Sequence, residues 1–212
     1  LLGNINIIDF FISKLIVLPG LLIAITMHEL AHGYSAYKLG DPTAKDAGRL
    51  TLNPLAHIDI LGFVLLFIVG FGWAKPVPIN PSFFKNRKKD TIIVSIAGPL
   101  TNFVLAIISS VILAVAYKLN AGMIVLLMIK LLIRYNIVLG FFNLLPFPPL
   151  DGSKIVASLL PIKYEIKFYE YERYLYLILI FLIVSDSIDK ILGKWIIVSS
   201  QALSKLIFII IS

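Results

Sequence analysis

Apolar residues run along this chain in long blocks separated by short polar segments, and the length of each block limits what it can be. A helix needs about 20 apolar residues to cross the hydrocarbon of a bilayer. The first block runs from about residue 7 to 38 and is interrupted at Pro19-Gly20. Proline inside a helix removes a hydrogen bond and kinks it. A span beginning near Pro19 is therefore expected, with residues 7–18 as an interfacial lead-in or an upper turn of the same helix. Further helices are expected over 91–117, 121–145, about 172–189 and 194–211, while the run at 58–71 is short. The segments on either side of that short run contain GRLTL and KPVPI, alternating pieces bounded by Gly, Pro and Asn. Such alternation reads as short strands, a hairpin at the membrane surface. The expected fold is an all-α polytopic membrane protein with about five to six transmembrane helices and a short membrane-associated β-hairpin or re-entrant segment.

Composition agrees with lipid as the main solvent. Of the 212 residues, 59% are hydrophobic and 15% charged, against averages of about 45–50% and 25% for soluble chains. One membrane-embedded domain is expected over 1–212, with a core at about 19–155 and C-terminal helices at about 165–212. The absence of cysteine excludes disulfides and thiolate metal sites. A net charge of +7 could suggest nucleic acid, but in a multi-pass chain basic residues collect in cytoplasmic loops facing anionic headgroups. If every run crosses, Lys and Arg divide ten against six between the two sides. If 58–71 is re-entrant, they divide twelve against four. The second division is the better positive-inside pattern.

Ionisable residues change the picture most where they interrupt apolar runs. TMHELAHGYSAYKLGD contains H-E-x-x-H. On a helix, His28 and His32 share one face and can both aim a ring nitrogen at one Zn²⁺, with Glu29 beside it to take a proton from a zinc-bound water. Two packed or snorkelling histidines are the plainer alternative, but ionisable groups this deep in a span are costly and usually functional. A hydrolytic zinc takes a third protein ligand, and two residues are candidates. Asp151 follows the prolines at 146, 148 and 149 and could otherwise cap a following turn. His57, in NPLAHID, reads better as an interfacial histidine.

HELAHGYSAYKLGD, GRLTLNPLAHIDILG, GWAKPVPIN, SIAGPLTN and FFNLLPFPPLDG, taken in order, resemble the site-2 protease family of intramembrane zinc metalloproteases. The likeness is closest to its small prokaryotic members without PDZ or CBS domains, and it covers about residues 19–155. It implies zinc held by His28, His32 and Asp151, with Glu29 as catalytic base. It also implies membrane-spanning protein substrates cut within or near their transmembrane helices, and a multi-pass location in a prokaryotic cell membrane. The same resemblance places Asn143 beside the metal. An amide there could donate to a developing oxyanion or make an interhelical hydrogen bond, and Asn102 carries the same two readings.

Two other functions compete. A metal transporter could use the same ligands, but it has no use for a general base, and many transporters show inverted repeats that are not seen here. A catalytically silent relative should lack one of His28, Glu29, His32 or Asp151, and all four are present. Lys130 and Arg134 stand at i and i+4 near the middle of a span, where charge is expensive; they could snorkel, pair with an acidic group or face a water-filled cavity, and the sequence does not choose among these.

Overall fold

A computed structural model describes residues 7–69 and 72–211, and among these the chain is almost entirely helical. Helix α1 (Ile7–Lys38) carries Pro19 inside it and runs on unbroken. The short α2 (Thr43–Asp46) follows, and then α3 (Ile60–Val69). The long α4 (Arg87–Lys118) is started by a reciprocal cap. The Asn86 side chain accepts from the Lys89 N–H, and the Asp90 carboxylate accepts from the Asn86 N–H, which satisfies two donors that the first turn would otherwise leave open. Then come α5 (Met123–Asn143), α6 (Asp151–Leu159), α7 (Ile162–Glu170), α8 (Glu172–Val184) and α9 (Ser187–Ile211).

Four helical segments are long and apolar enough to cross a membrane: Lys14–Lys38, Arg87–Lys118, Met123–Asn143 and Ser187–Ile211. That is fewer than the five to six expected from the apolar runs. The run at 172–189 divides, because Asp186 takes a left-handed conformation (φ 54°) between α8 and α9. Helix α8 is left with 13 residues, about 20 Å at 1.5 Å per residue.

The membrane-spanning helices pack with small residues inside and large ones outside. On α4, Ala106, Ser109, Ser110 and Ala114 are buried, whereas Ile107, Ile108, Val111 and Ile112 are exposed. Small residues let helix backbones approach closely where lipid tails give no hydrophobic drive to associate. Helices α1, α4 and α5 pack against one another, and α9 lies on α4 and α5. Ala106, Leu113, Ile133 and Ile137 form the centre of that packing. At the other end of α4, Glu165 of α7 pairs with Arg87 at 2.6 Å and Lys88 at 3.4 Å, which ties the segment after α6 to the start of α4.

The stretch around α3 corrects one expectation. Ile58 and Ala74 form an isolated antiparallel bridge, and the Lys75 N–H donates to the His57 carbonyl at 3.0 Å, so the residues that flank α3 lie side by side. The expected hairpin is not formed: no strand occurs over GRLTL or KPVPI among the described residues. Pro76 and Pro78 have no N–H to give to a ladder. The groups that remain are held by side chains instead. Arg49 donates to the carbonyls of Lys75 (2.7 Å) and Pro76 (3.1 Å), Glu29 accepts from the Val77 N–H, and Asp41 accepts from the Asn80 N–H. The result is a strap, residues 74–80, fastened along α1.

Candidate metal centre

His28 and His32 stand one turn apart on α1, buried, with their rings at 81° and their Nε2 atoms 3.0 Å apart. Asp151 arrives from 119 residues further on. Its Oδ2 lies 3.1 Å from His28 Nε2 and 3.0 Å from His32 Nε2. The local sequence explains how it gets there. Residues 144–150, with prolines at 146, 148 and 149, end α5 without continuing it, and α6 begins at Asp151. Gly152 makes the turn possible: a Cβ at that position would lie 2.2 Å from the Leu144 carbonyl oxygen and 2.4 Å from that of Leu145. Only a residue without a side chain lets α6 start against the carbonyls that close α5.

The outer nitrogens of both imidazoles are also held. His28 Nδ1 lies 2.6 Å from Asn102 Oδ1, and His32 Nδ1 lies 2.7 Å from the Val94 carbonyl oxygen. The orientation of the Asn102 amide is set by its own donors, since Nδ2 gives one hydrogen to the Ala24 carbonyl (3.1 Å) and one to Asn136 Oδ1 (2.9 Å). Asn136 in turn donates to the Leu132 carbonyl. Both Nδ1 atoms therefore face pure acceptors and must carry the ring proton, which leaves both Nε2 lone pairs bare. Two imidazole lone pairs and a carboxylate oxygen, all within 3.1 Å, repel one another unless a cation lies among them.

These are the atoms a divalent metal would take. Tetrahedral bonds of about 2.0–2.1 Å to zinc set ligand atoms about 3.3 Å apart, so the three groups need to part by only a few tenths of an ångström. Space for the ion comes from Gly98 of α4, where an added Cβ would fall 2.3 Å from His32 Nε2 and 2.7 Å from His28 Nε2. The ammonium of Lys154, 3.4 Å from Asp151 Oδ1, favours the ionised form of this ligand. Glu29, next to His28, is partly exposed, and its Oε2 accepts the Val77 N–H at 2.8 Å.

Other expected residues fall elsewhere. His57 is fully buried, with Nε2 on the Thr51 carbonyl at 2.9 Å, and is not part of the cluster. Asn143 turns its Nδ2 to the Leu139 carbonyl, one helical turn back. Asn102 has both amide hydrogens committed and serves His28 as an acceptor, so it is not a free oxyanion donor. Sequence reading missed Asn136, whose signal was a lone amide in an apolar span. It also missed the Val94 carbonyl and Val77 N–H, which no sequence pattern marks.

Comparison with known proteins points the same way. The profile of peptidase family M50 matches residues 115–185, a stretch that contains Asp151 and stops short of the two histidines. A Bacillus subtilis protein named "Putative zinc metalloprotease YwhC" is 43% identical over 171 residues, 78% of each chain. The chain belongs to peptidase family M50, the site-2 protease family. M50 relatives extend to a Mycolicibacterium smegmatis protein of similar name, Rip2, 33% identical over 144 residues. The match takes in 65% of this chain and 54% of Rip2, so this chain spans about half the length of that relative. "Zinc metalloprotease MJ0392" of Methanocaldococcus jannaschii is 30% identical over 145 residues, 68% of this chain and 34% of its own. No solved structure matches the chain. Within this M50 chain, the His28, His32 and Asp151 cluster is the set of described residues that could hold the zinc its relatives are named for.

Proposed function

We propose that the protein is an intramembrane zinc metalloprotease that hydrolyses peptide bonds within or near the transmembrane segments of membrane-protein substrates, in a prokaryotic cell membrane. The observation that carries this reading is the convergence of three bare acceptor atoms, from His28, His32 and Asp151, on the space over Gly98. Zinc held there would polarise a substrate carbonyl and acidify a water molecule. Glu29 is the base in this reading. The Val77 N–H occupies Oε2 and fixes the carboxylate, leaving Oε1 to receive the proton from water and to return it to the leaving amine. Asn102 and the Val94 carbonyl keep the imidazoles in the tautomer that offers Nε2, the usual service of outer groups to metal-bound histidines.

Family membership and four apolar helices support a membrane setting. The strap meets the site at Glu29, through the Val77 N–H, and water would enter from the basic face. The strap itself is a poor template for an incoming strand, because its carbonyls at 75 and 76 and its N–H groups at 77 and 80 are already taken.

Reconstitution into vesicles with a single-span helical substrate tests the proposal. Zinc-loaded protein should cleave the substrate, a zinc chelator should abolish cleavage, and added zinc should restore it. Cleavage that persists at full rate after the metal is stripped would overturn the reading. Zinc flux across the vesicle wall without cleavage would replace it with transport.

A further inference from the structure

Lys130 and Arg134 belong to a different face of α5 from Asn136. Asn136 joins the hydrogen-bond chain behind His28, whereas Lys130 and Arg134 line a groove between α5, the end of α4 and α9. The groove has a volume of about 660 Å³, and Ser200, Gln201 and Ser204 of α9 face the two cations across it. Lys130 Nζ also lies 5.5 Å over the ring of Tyr117. Among the described residues neither cation makes an ion pair. Arg134 reaches as well into an adjoining cavity of about 370 Å³, which contains Asp189, the single acid lining either space.

Depth makes this arrangement costly unless something neutralises it. At 1.5 Å per residue, Lys130 is about 10 Å and Arg134 about 16 Å along α5 from Met123, and charge at such positions is rare without a partner. Two cations and one carboxylate leave a single positive charge to balance. Besides the donor-only ammonium and guanidinium, the groove offers further hydrogens from the Ser200 hydroxyl, the Gln201 amide and the Tyr117 phenol, with the Ser204 hydroxyl committed to the Ser200 carbonyl. A lone carboxylate offers two oxygens to these donors. A phosphodiester offers one negative charge and more acceptor sites, and its acyl chains would continue along the apolar walls at Ile133 and Ile196.

We propose that this groove binds the phosphate headgroup of an anionic membrane lipid. The site is separate from the metal centre and stands or falls independently of the proteolytic reading. The chain holds two tryptophans. With Trp73→Phe, the remaining one is Trp195, next to Ile196, which lines both cavities. The full chain in phosphatidylcholine vesicles is titrated with brominated phosphatidylglycerol or brominated phosphatidylcholine, and quenching of Trp195 is read. One unbalanced charge predicts a preference of about fivefold for the anionic lipid. The preference should fall to within twofold of unity in Lys130→Gln/Arg134→Gln and persist in the charge-conserving Lys130→Arg/Arg134→Lys. Equal quenching by the two lipids in the parent chain overturns the proposal, as does loss of preference in the charge-conserving pair. Should the neutral pair not fold, the parent and charge-conserving chains decide between these outcomes. Protection of Trp195 by a transmembrane peptide with a central glutamate, without any lipid preference, would assign the groove to an acidic helix instead and overturn it too.

Discussion

Gly98→Ala is the sharpest perturbation of the metal centre, because it adds one carbon where the ion has to be. The new Cβ would lie 2.3 Å from His32 Nε2 and 2.7 Å from His28 Nε2, against a comfortable separation of about 3.5 Å. Each imidazole must retreat by about an ångström, and neither can do so freely. Retreat breaks the 2.6 Å contact of His28 with Asn102 and the 2.7 Å contact of His32 with Val94. A buried polar group left unmatched costs about 1–3 kcal/mol, so two such losses set about 2–6 kcal/mol against metal binding, at least a thirtyfold fall in zinc affinity. The helix itself does not suffer, since alanine is about 1 kcal/mol better than glycine in a helix interior. The assay is competition for zinc against a chelator of known affinity, with helicity and thermal unfolding followed alongside. Gly140→Ala is the control. Its Cβ would lie 2.7 Å from the Phe103 ring, an overpacking cost of about 1–3 kcal/mol that should lower stability and leave zinc affinity alone. Parent-like zinc affinity in Gly98→Ala would refute the placement of the ion.

Substitutions at three further positions separate the supporting roles. Asn136→Leu removes the acceptor that helps fix the Asn102 amide and should weaken zinc about tenfold in the same competition; unchanged affinity would show that the chain of support ends at Asn102. Val77→Pro deletes the N–H that Glu29 accepts and should lower cleavage by about tenfold or more with zinc retained, whereas Val77→Ala, which keeps that N–H, should stay within a few-fold of the parent in a vesicle cleavage assay. Equal behaviour of the two variants would remove the strap from catalysis. Asn143→Ala should change the cleavage rate by less than about threefold, since its amide is turned to Leu139; a hundredfold loss would instead mark it as an oxyanion donor.

Much of the metal centre was legible because its signals are local. The i, i+4 spacing of His28 and His32 survives any helix that contains them, and a proline-broken stretch before Asp151 announces where the apolar run must stop. The hairpin was misread because alternation at KPVPI imitates a strand while two of its five residues are prolines; its remaining backbone groups find Arg49, Glu29 and Asp41, partners distant in sequence. The role of Asn102 depends on which way its amide points, and the Ala24 carbonyl and Asn136 decide that from two other helices. Val94 and Val77 act through backbone atoms, so the identity of their side chains carries no trace of the function.

The central claim is that Glu29 works as a base beside a metal held by three other residues. Glu29→Gln tests it most directly, because glutamine preserves shape and can still accept the Val77 N–H but takes up no proton. Zinc content and cleavage of a reconstituted single-span substrate are measured on the same preparation. Parent-like zinc content with cleavage reduced by about 10²–10⁴ is the predicted result. Cleavage at the parent rate with zinc bound would contradict it.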